Sequence, residues 1–415
     1  MTSIDTPELV VIGGGIAGGL FATVMARAGH AVLMLEITEQ HRDVVRGEWL
    51  APWGVAEAKR LGLYDLYRTH GAHHIKRHVT YDEDIPTATA EAMTIEFANL
   101  IPDDEGPLAI GHPKLCGILD DAAVAAGAIF LRGVRRLNVT PGSPPTVQFE
   151  HQGALFELRP RLVIAADGRH GKTAREAGIE LHADPVHHWF SGMLVEGAYG
   201  WPEDKQVIGN ERDINFLVFP QGEGRARLYQ SVALSDKERF MGDDAPQRFA
   251  DGFRLACVPQ SNAIADATPA SHCFVYPNDD TWSDEPFAEG VIAIGDAAGH
   301  NDPIIGQGLS ITHRDVRIVS DLLKSTPDWS KTASWQAYGE ERQERMRRLR
   351  LAARLAAVRD AEFGEVARKR RARLHGMMMR DPLVTGLALA PITGPDTVPA
   401  EAFDAAALGR ILNPA

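Results

Sequence analysis

Hydrophobic positions fall into distinct regimes along the chain. Near the N-terminus, Leu9–Ile12 and Ala31–Leu35 are unbroken apolar runs of the kind that forms strands buried on both faces. Between them Leu20, Val24 and Met25 recur at helical spacing, so the segment reads as a βαβ unit. The same buried-strand style returns in "RLVIAADG", ending at Asp167 and Gly168, and in "GVIAIGD". "PWGVAEAKRLGL" has Pro52 at its start and Gly62 near its end, the asymmetry expected of a short helix. "PKLCGILDDAAVAAG", closed by Gly127, predicts a second helix, and "LSITHRDVRIVSDLL" a third.

Elsewhere alternation replaces the runs. "AIFLRGVRRLNV" and "TVQFEHQGALFELRP" read as strands joined by the turn-rich "TPGSPP". "FSGMLVEG", "INFLVFPQGEGRARLYQSVAL" and "HCFVYP" predict an antiparallel sheet between about 184 and 282, with "QGEG" as a hairpin turn. A less regular region at 71–110, with stretches such as "MTIEFANL", is expected to join that lobe. From Trp335 onward the chain is helical and rich in charge. Acids are interspersed among its arginines, and Leu349, Leu351 and Leu355 mark an apolar side, so a solvated amphipathic helix is expected rather than a nucleic-acid surface.

At 415 residues the chain exceeds one simple core, and two interleaved lobes are expected. The net charge of −13 argues against nucleic acid or an anionic membrane as partner. Cys116, Cys257 and Cys273 form an odd set without C-x-x-C spacing, which suits reduced, buried thiols. With no basic leader region and no window of about 18 unbroken apolar residues, a cytoplasmic protein is expected.

The first chemical signal is Gly13-x-Gly15-x-x-Gly18 between the first strand and helix. Gly13 permits the tight turn, Gly15 lets a pyrophosphate approach the backbone, and Gly18 lets helix and strand pack closely. Ile16 and Ala17 open the helix, whose free N–H groups and dipole favour phosphate. Glu36 ends the next strand, where an acid accepts ribose hydroxyls. A carboxylate there repels a 2′-phosphate, leaving FAD or NAD rather than NADP for this site.

Two further islands follow: Ala166-Asp167-Gly168-Arg169-His170, and "GDAAGHNDPIIGQGLSITHRDV" from Gly295 to Val316. In this order the three islands resemble the FAD-dependent monooxygenases of the para-hydroxybenzoate hydroxylase type, over about residues 8–325. The resemblance implies an α/β fold: a Rossmann-like FAD domain (1–70, 111–183 and 283–325), a mixed, mainly antiparallel substrate domain (71–110 and 184–282), and C-terminal helices (326–415). It implies that Asp296 binds the ribityl chain, although an acid there can also simply cap a helix. Pro303 and Gly306-Gln307-Gly308 would run beside the isoalloxazine, with the helix from Leu309 aimed at its pyrimidine edge. Asp167, Arg46 of "RGEWLAP" and His112 would complete the FAD contacts. Pro303 is also the candidate for shaping the oxygen site. NAD(P)H would act as a transient donor, since no second dinucleotide fingerprint is present. One oxygen atom from O2 would pass through a flavin C4a-hydroperoxide to a small organic substrate, aromatic or polyketide-like, in a monomer or homodimer.

"GDAAGHNDP" and "RGEWLAP" are also similar to the branch holding flavin halogenases and geranylgeranyl-reductase-like proteins. The halogenase W-x-W-x-I-P element is absent, because no two of the seven tryptophans stand two apart. Gly171 occupies the serine slot of the second island. A saturase-type reductase, a halogenase and a flavin-bearing ligand-sequestering protein are the rival readings. His188, Phe216 and Tyr229 of the sheet lobe are candidate substrate contacts. His70, His73, His74 and His78 read as surface histidines of a polar loop, and no metal is expected. Asp302 is expected in a turn where solvent can replace its contacts.

Overall fold

The computed structural model describes residues 7–43, 45, 48–101 and 105–413. Arg46 lies outside the described residues. The chain opens with strand Leu9–Ile12 (β1), helix Ile16–Arg27 (α1) and strand Val32–Leu35 (β2). Helix Pro52–Arg60 (α2) and strand Arg77–Asp82 (β3) follow, then helix His112–Ala125 (α3), strand Ile129–Leu131 (β4) and strand Leu162–Ala165 (β5). The long strands of the second lobe are His188–Glu196 (β6), Lys205–Glu211 (β7), Ile214–Gly222 (β8), Arg225–Val232 (β9) and Phe274–Asn278 (β10). Strand Val291–Ala293 (β11) returns to the first lobe and leads to helix Gly308–Ser325 (α4). Helices Gln336–Asp360 (α5), Glu365–Met378 (α6), Pro382–Thr393 (α7) and Ala405–Leu412 (α8) complete the chain.

The first sheet runs Phe287–Ala288, β11, β5, β1, β2, β4, parallel apart from the edge pair Phe287–Ala288 with β11. Its central strands are buried on both faces, which is why they read as continuous apolar runs. The strand "AIFLRGVRRLNV" divides: Ile129–Leu131 joins this sheet, whereas Arg135–Thr140 pairs with the hairpin Thr146–His151 and Ala154–Leu158. Loops at the C-terminal ends of β1, β5 and β11 carry the three sequence islands, so the fold gathers them at one edge, where ligands of such sheets bind.

The second sheet has eight strands and is mixed. β6, β9, β8 and β7 pair antiparallel, while β3 joins β7 in parallel. β10 pairs with β6. One face packs on an apolar cluster including Val207, Phe216, Val218, Phe249 and Phe253. The other face looks toward the first lobe.

α5 departs from expectation. It is not a solvated helix: Arg342 and Arg345 are fully buried, together with Met346 and Leu349. They are tolerated because Asp315 of α4 receives both guanidinium groups, Arg342 Nε at 3.1 Å and Arg345 Nη2 at 2.7 Å. Among the described residues, no helix is long and apolar enough to cross a membrane.

Candidate flavin and substrate site

The fingerprint glycines divide by what a side chain would meet. A Cβ on Gly13 would stand 2.4 Å from Ala166 O, and one on Gly18 would stand 1.9 Å from Gly13 O. Those two glycines are required by backbone packing. Gly15 is different: a Cβ there would meet nothing within 4 Å. Its neighbours Ile16 and Ala17 line the same open space, with the first N–H groups of α1 facing it. The protein thus keeps Gly15 free for something it does not itself contain, and a pyrophosphate fits that cradle. Glu36 stands beside it. Its Oε2 accepts from Gly14 N at 2.7 Å and its Oε1 from Thr38 N at 2.7 Å, which fixes the carboxylate at the end of β2.

The second island works differently from the expectation for Asp167. Its Oδ2 accepts from Lys172 N, Thr173 N and Thr173 Oγ1 at 2.8–3.0 Å. That oxygen is committed to the turn while Oδ1 is buried without a partner, and it is Gly168 and Arg169 that line the cavity. This also explains Gly171 in the serine slot, since a Cβ there would lie 2.2 Å from Asp167 Cγ.

In the third island, Asp296, Pro303, Gly306, Gln307, Gly308 and Leu309 all line one cavity of about 390 Å3, with His112 at the start of α3. Gly306 takes φ +65, the left-handed turn that redirects the chain into α4. Gln307 braces that turn: its Oε1 accepts from Trp53 Nε1 at 2.8 Å and its Nε2 donates to Ile305 O. Arg342 holds the preceding segment from behind. It donates to Ala298 O at 2.8 Å, Gly299 O at 2.8 Å and Gly295 O at 3.1 Å.

The cavity floor is one face of the second sheet, and the pleat decides its members. Registers align His78 with Gln206, Thr80 with Ile208, Ile208 with Leu217 and Leu217 with Tyr229. These residues, with Asn215, Phe219, Phe190 and Tyr276, line the cavity. Tyr229 is therefore where the sequence placed it. Phe216 is not: it belongs to the opposite parity and is buried in the lobe's own core. The roof was missed. It comes from the C-terminal helices, including Leu355, Ala356, Met378, Leu389 and Ile392. His78 was also missed as a site residue, because it sits on β3, 7% exposed, rather than in a polar loop.

His188 does not reach the cavity lining. It packs behind it, in a buried latch between the two lobes. Asn278 Nδ2 stands 2.8 Å from His188 Nε2 and donates to Asp302 Oδ1 at 2.7 Å. His187 Nδ1 lies 2.9 Å from His188 Nδ1, and His187 Nε2 lies 3.4 Å from Asp302 Oδ2. His187, His188 and Asp302 are close enough to share a metal ion, but the Asn278 amide bridges His188 and Asp302 by hydrogen bonds. Asp302 is fully buried and caps the next turn through Ile304 N, so solvent cannot replace its contacts as expected from sequence. Burial, reinforced by neighbouring Asp280, raises its pKa well above the carboxylate range. Burial likewise lifts Asp280 to about 6 and lowers His188 to about 3.

Glu48 closes the junction between floor and flavin side. Burial raises its pKa, although Arg227 Nη2 donates to its Oε1 at 2.7 Å. Arg227 also pairs with Asp43 at 3.0 Å. The arginine is thus held between two carboxylates.

The pattern of a protein family described as "FAD binding domain" matches residues 6–352. The chain is 26% identical over 348 residues to a squalene monooxygenase of Rattus norvegicus, a match covering 81% of this chain but 58% of that protein. The chain thus spans under two thirds of that relative's length. It is 27% identical over 327 residues to digeranylgeranylglycerophospholipid reductase 1 of Methanococcoides burtonii, covering 74% of this chain and 71% of the relative. Among solved structures, p-nitrophenol 4-monooxygenase from Pseudomonas putida DLL-E4 superposes with a TM-score of 0.76 at 17% identity, covering 96% of this chain and 98% of that one. That likeness establishes the α/β fold of flavoprotein monooxygenases.

Proposed function

The chain belongs to the FAD-binding-domain family, and on that premise we propose that it is an NAD(P)H- and O2-dependent monooxygenase acting on a small organic molecule. FAD, when bound, supplies the redox chemistry, taking electrons from a nicotinamide and activating O2. The protein's contribution is binding, orientation and electrostatics.

In this reading the N–H groups at Gly15, Ile16 and Ala17 hold the pyrophosphate, Glu36 the adenosine ribose, and Asp296 the ribityl chain. The N-terminus of α4 at Gly308 and Leu309 would hold the flavin's pyrimidine edge, where its dipole would stabilise negative charge. Pro303 and Ile304, which line the cavity, would shape the side on which oxygen reacts. Tyr229, Phe190 and Phe219 offer an aromatic floor for the substrate.

One observation carries the proposal. A largely apolar chamber, floored by the second sheet and roofed by α5, α6 and α7, opens directly onto the α4 N-terminus and the Pro303 turn. An apolar lining there, once covered by a bound substrate, would keep water from the reacting centre, which suits oxygen insertion. The reductase relative supports a second reading, in which the same chamber serves reduction of an alkene. Turnover under labelled O2 separates them. Oxygenation puts one labelled atom in the product, with NAD(P)H consumed. An unlabelled product, formed equally well without oxygen, would overturn the monooxygenase reading. A halogenated product formed only with halide would overturn both.

A further inference from the structure

The chamber contains one chain of hydrogen bonds whose direction is determined throughout. Trp49 Nε1 lies 2.8 Å from Gln206 Oε1. An indole nitrogen can only donate, so Oε1 accepts and the Gln206 amide nitrogen is left to donate. That nitrogen lies 3.1 Å from His78 Nδ1, which must therefore accept. The imidazole proton is then on Nε2, 3.1 Å from Thr80 Oγ1, and donates to it. His78 stays neutral because burial lowers its pKa to about 4. Thr80 Oγ1 thus accepts from within the protein, and its own hydrogen is available to an acceptor in the cavity. All four residues line that cavity.

Beyond this chain, the polar groups of the floor are uncharged: Asn215, which is fully buried, lines the cavity and has an Oδ1 without a hydrogen-bond partner, and the hydroxyls of Tyr229 and Tyr276. Both arginines on the described lining have carboxylates. Arg359 pairs with Asp360, Nε to Oδ1 at 2.7 Å, and Arg169 stands 4.0 Å from Asp279 on the flavin-domain side. No cation on the described substrate side is left for an anionic ligand, and a carboxylate placed there would lose its hydration without a counter-charge.

We infer that Thr80 donates a hydrogen bond to an uncharged oxygen acceptor of the substrate, so that the site selects a neutral, mainly apolar molecule bearing an ether, carbonyl or hydroxyl oxygen. This rests on the proposed function only for what then happens to the bound molecule. The Trp49–Gln206–His78 chain acts through Thr80, keeping its hydroxyl oriented as a donor.

The test is calorimetric titration of the flavin-loaded protein with three naphthalenes substituted at the same ring position: methoxynaphthalene, its apolar isostere ethylnaphthalene, and naphthoate. Methoxynaphthalene is expected to bind roughly two- to tenfold tighter than ethylnaphthalene, the worth of one net hydrogen bond. Naphthoate is expected to bind most weakly. Thr80→Val should abolish the ratio between the ether and ethylnaphthalene, and Thr80→Ser should keep it. A structural role alone would shift all three probes together. Equal binding of the first two probes to the wild type, or tightest binding of naphthoate, overturns the inference. Oxygenation without an ether preference would sink this assignment alone. An ether preference in a protein whose product carries no label would sink only the proposed function.

Discussion

Gly15 and Gly18 share a motif, yet they should fail in different ways. Gly15 sits at φ −74 and ψ −168, which any residue adopts, and an added Cβ meets nothing. Ala is a poorer N-cap than Gly, which costs several tenths of a kcal/mol, but it restricts the unfolded chain by a stabilising 0.4–1 kcal/mol, roughly offsetting this. The flavin-free Gly15→Ala protein should therefore stay within about 1 kcal/mol of wild type. Its FAD affinity should not. The methyl would occupy the approach of the pyrophosphate, and losing one charge-assisted hydrogen bond of about 1.5–3 kcal/mol means roughly ten- to hundredfold weaker binding. Gly18→Ala gains up to about 1 kcal/mol of helix propensity. That gain loses to the overlap, because the methyl would lie 1.9 Å from Gly13 O and 3.0 Å from Gly13 C, and both are backbone. Overpacking of this kind costs about 1–3 kcal/mol or more. Denaturant unfolding of the flavin-free proteins, with FAD titration of each, gives both numbers. If Gly15→Ala is as unstable as Gly18→Ala, or binds FAD like wild type, the division between cradle and packing glycine is wrong.

Arg342→Met should destabilise the protein by about 3–5 kcal/mol, since it strips three carbonyls and Asp315 of a buried cation. Denaturant unfolding checks this, and a change below about 0.5 kcal/mol would contradict the role given to Arg342. Asp280 has a folded pKa of about 6 against an ordinary 3.8, so its contribution is full below 3.8 and is lost as pH rises through about 6, on the order of 2–3 kcal/mol. Asp280→Asn should flatten that part of the stability profile between pH 4 and 7. An unchanged profile in thermal melts would show that Asp280 titrates normally.

The nucleotide half of the site was legible because its determinants are local. A fingerprint glycine is read by its neighbours along the chain, and the buried strands of the first sheet leave unbroken apolar runs. The floor was harder for a physical reason. In "INFLVFP", Ile214, Phe216 and Val218 face the lobe's core, while Asn215, Leu217 and Phe219 face the cavity. Both faces are apolar, so alternation shows a strand but not which parity touches substrate. "KQVIGNE" escaped as a strand altogether. It is held by β3, more than a hundred residues earlier, and by β8. The arginines of α5 read as solvated because their partner Asp315 lies on another helix, and Asp302 read as solvated because its partners His187 and Asn278 come from the other lobe.

Those same distant partners decide the electrostatics of the turn. A Gly-Asp turn ahead of a helix presents carbonyl oxygens as well as N–H groups, and the two would cancel at a nearby flavin. Here Gly295, Ala298 and Gly299 direct their carbonyls to Arg342, which is fully buried and absent from the cavity lining. Asp302 takes the Ile304 N–H, and Asp280 takes that of Asp302. The start of α4, by contrast, keeps Gly308, Leu309 and, one turn on, Thr312 on the cavity wall. The negative ends of the turn are thus neutralised behind the wall, and the positive end of α4 is left in front of it. A preorganised field of that sign acts without rearrangement when negative charge develops at the flavin edge. It depends on a helix and a lobe that no motif of the first three hundred residues reveals.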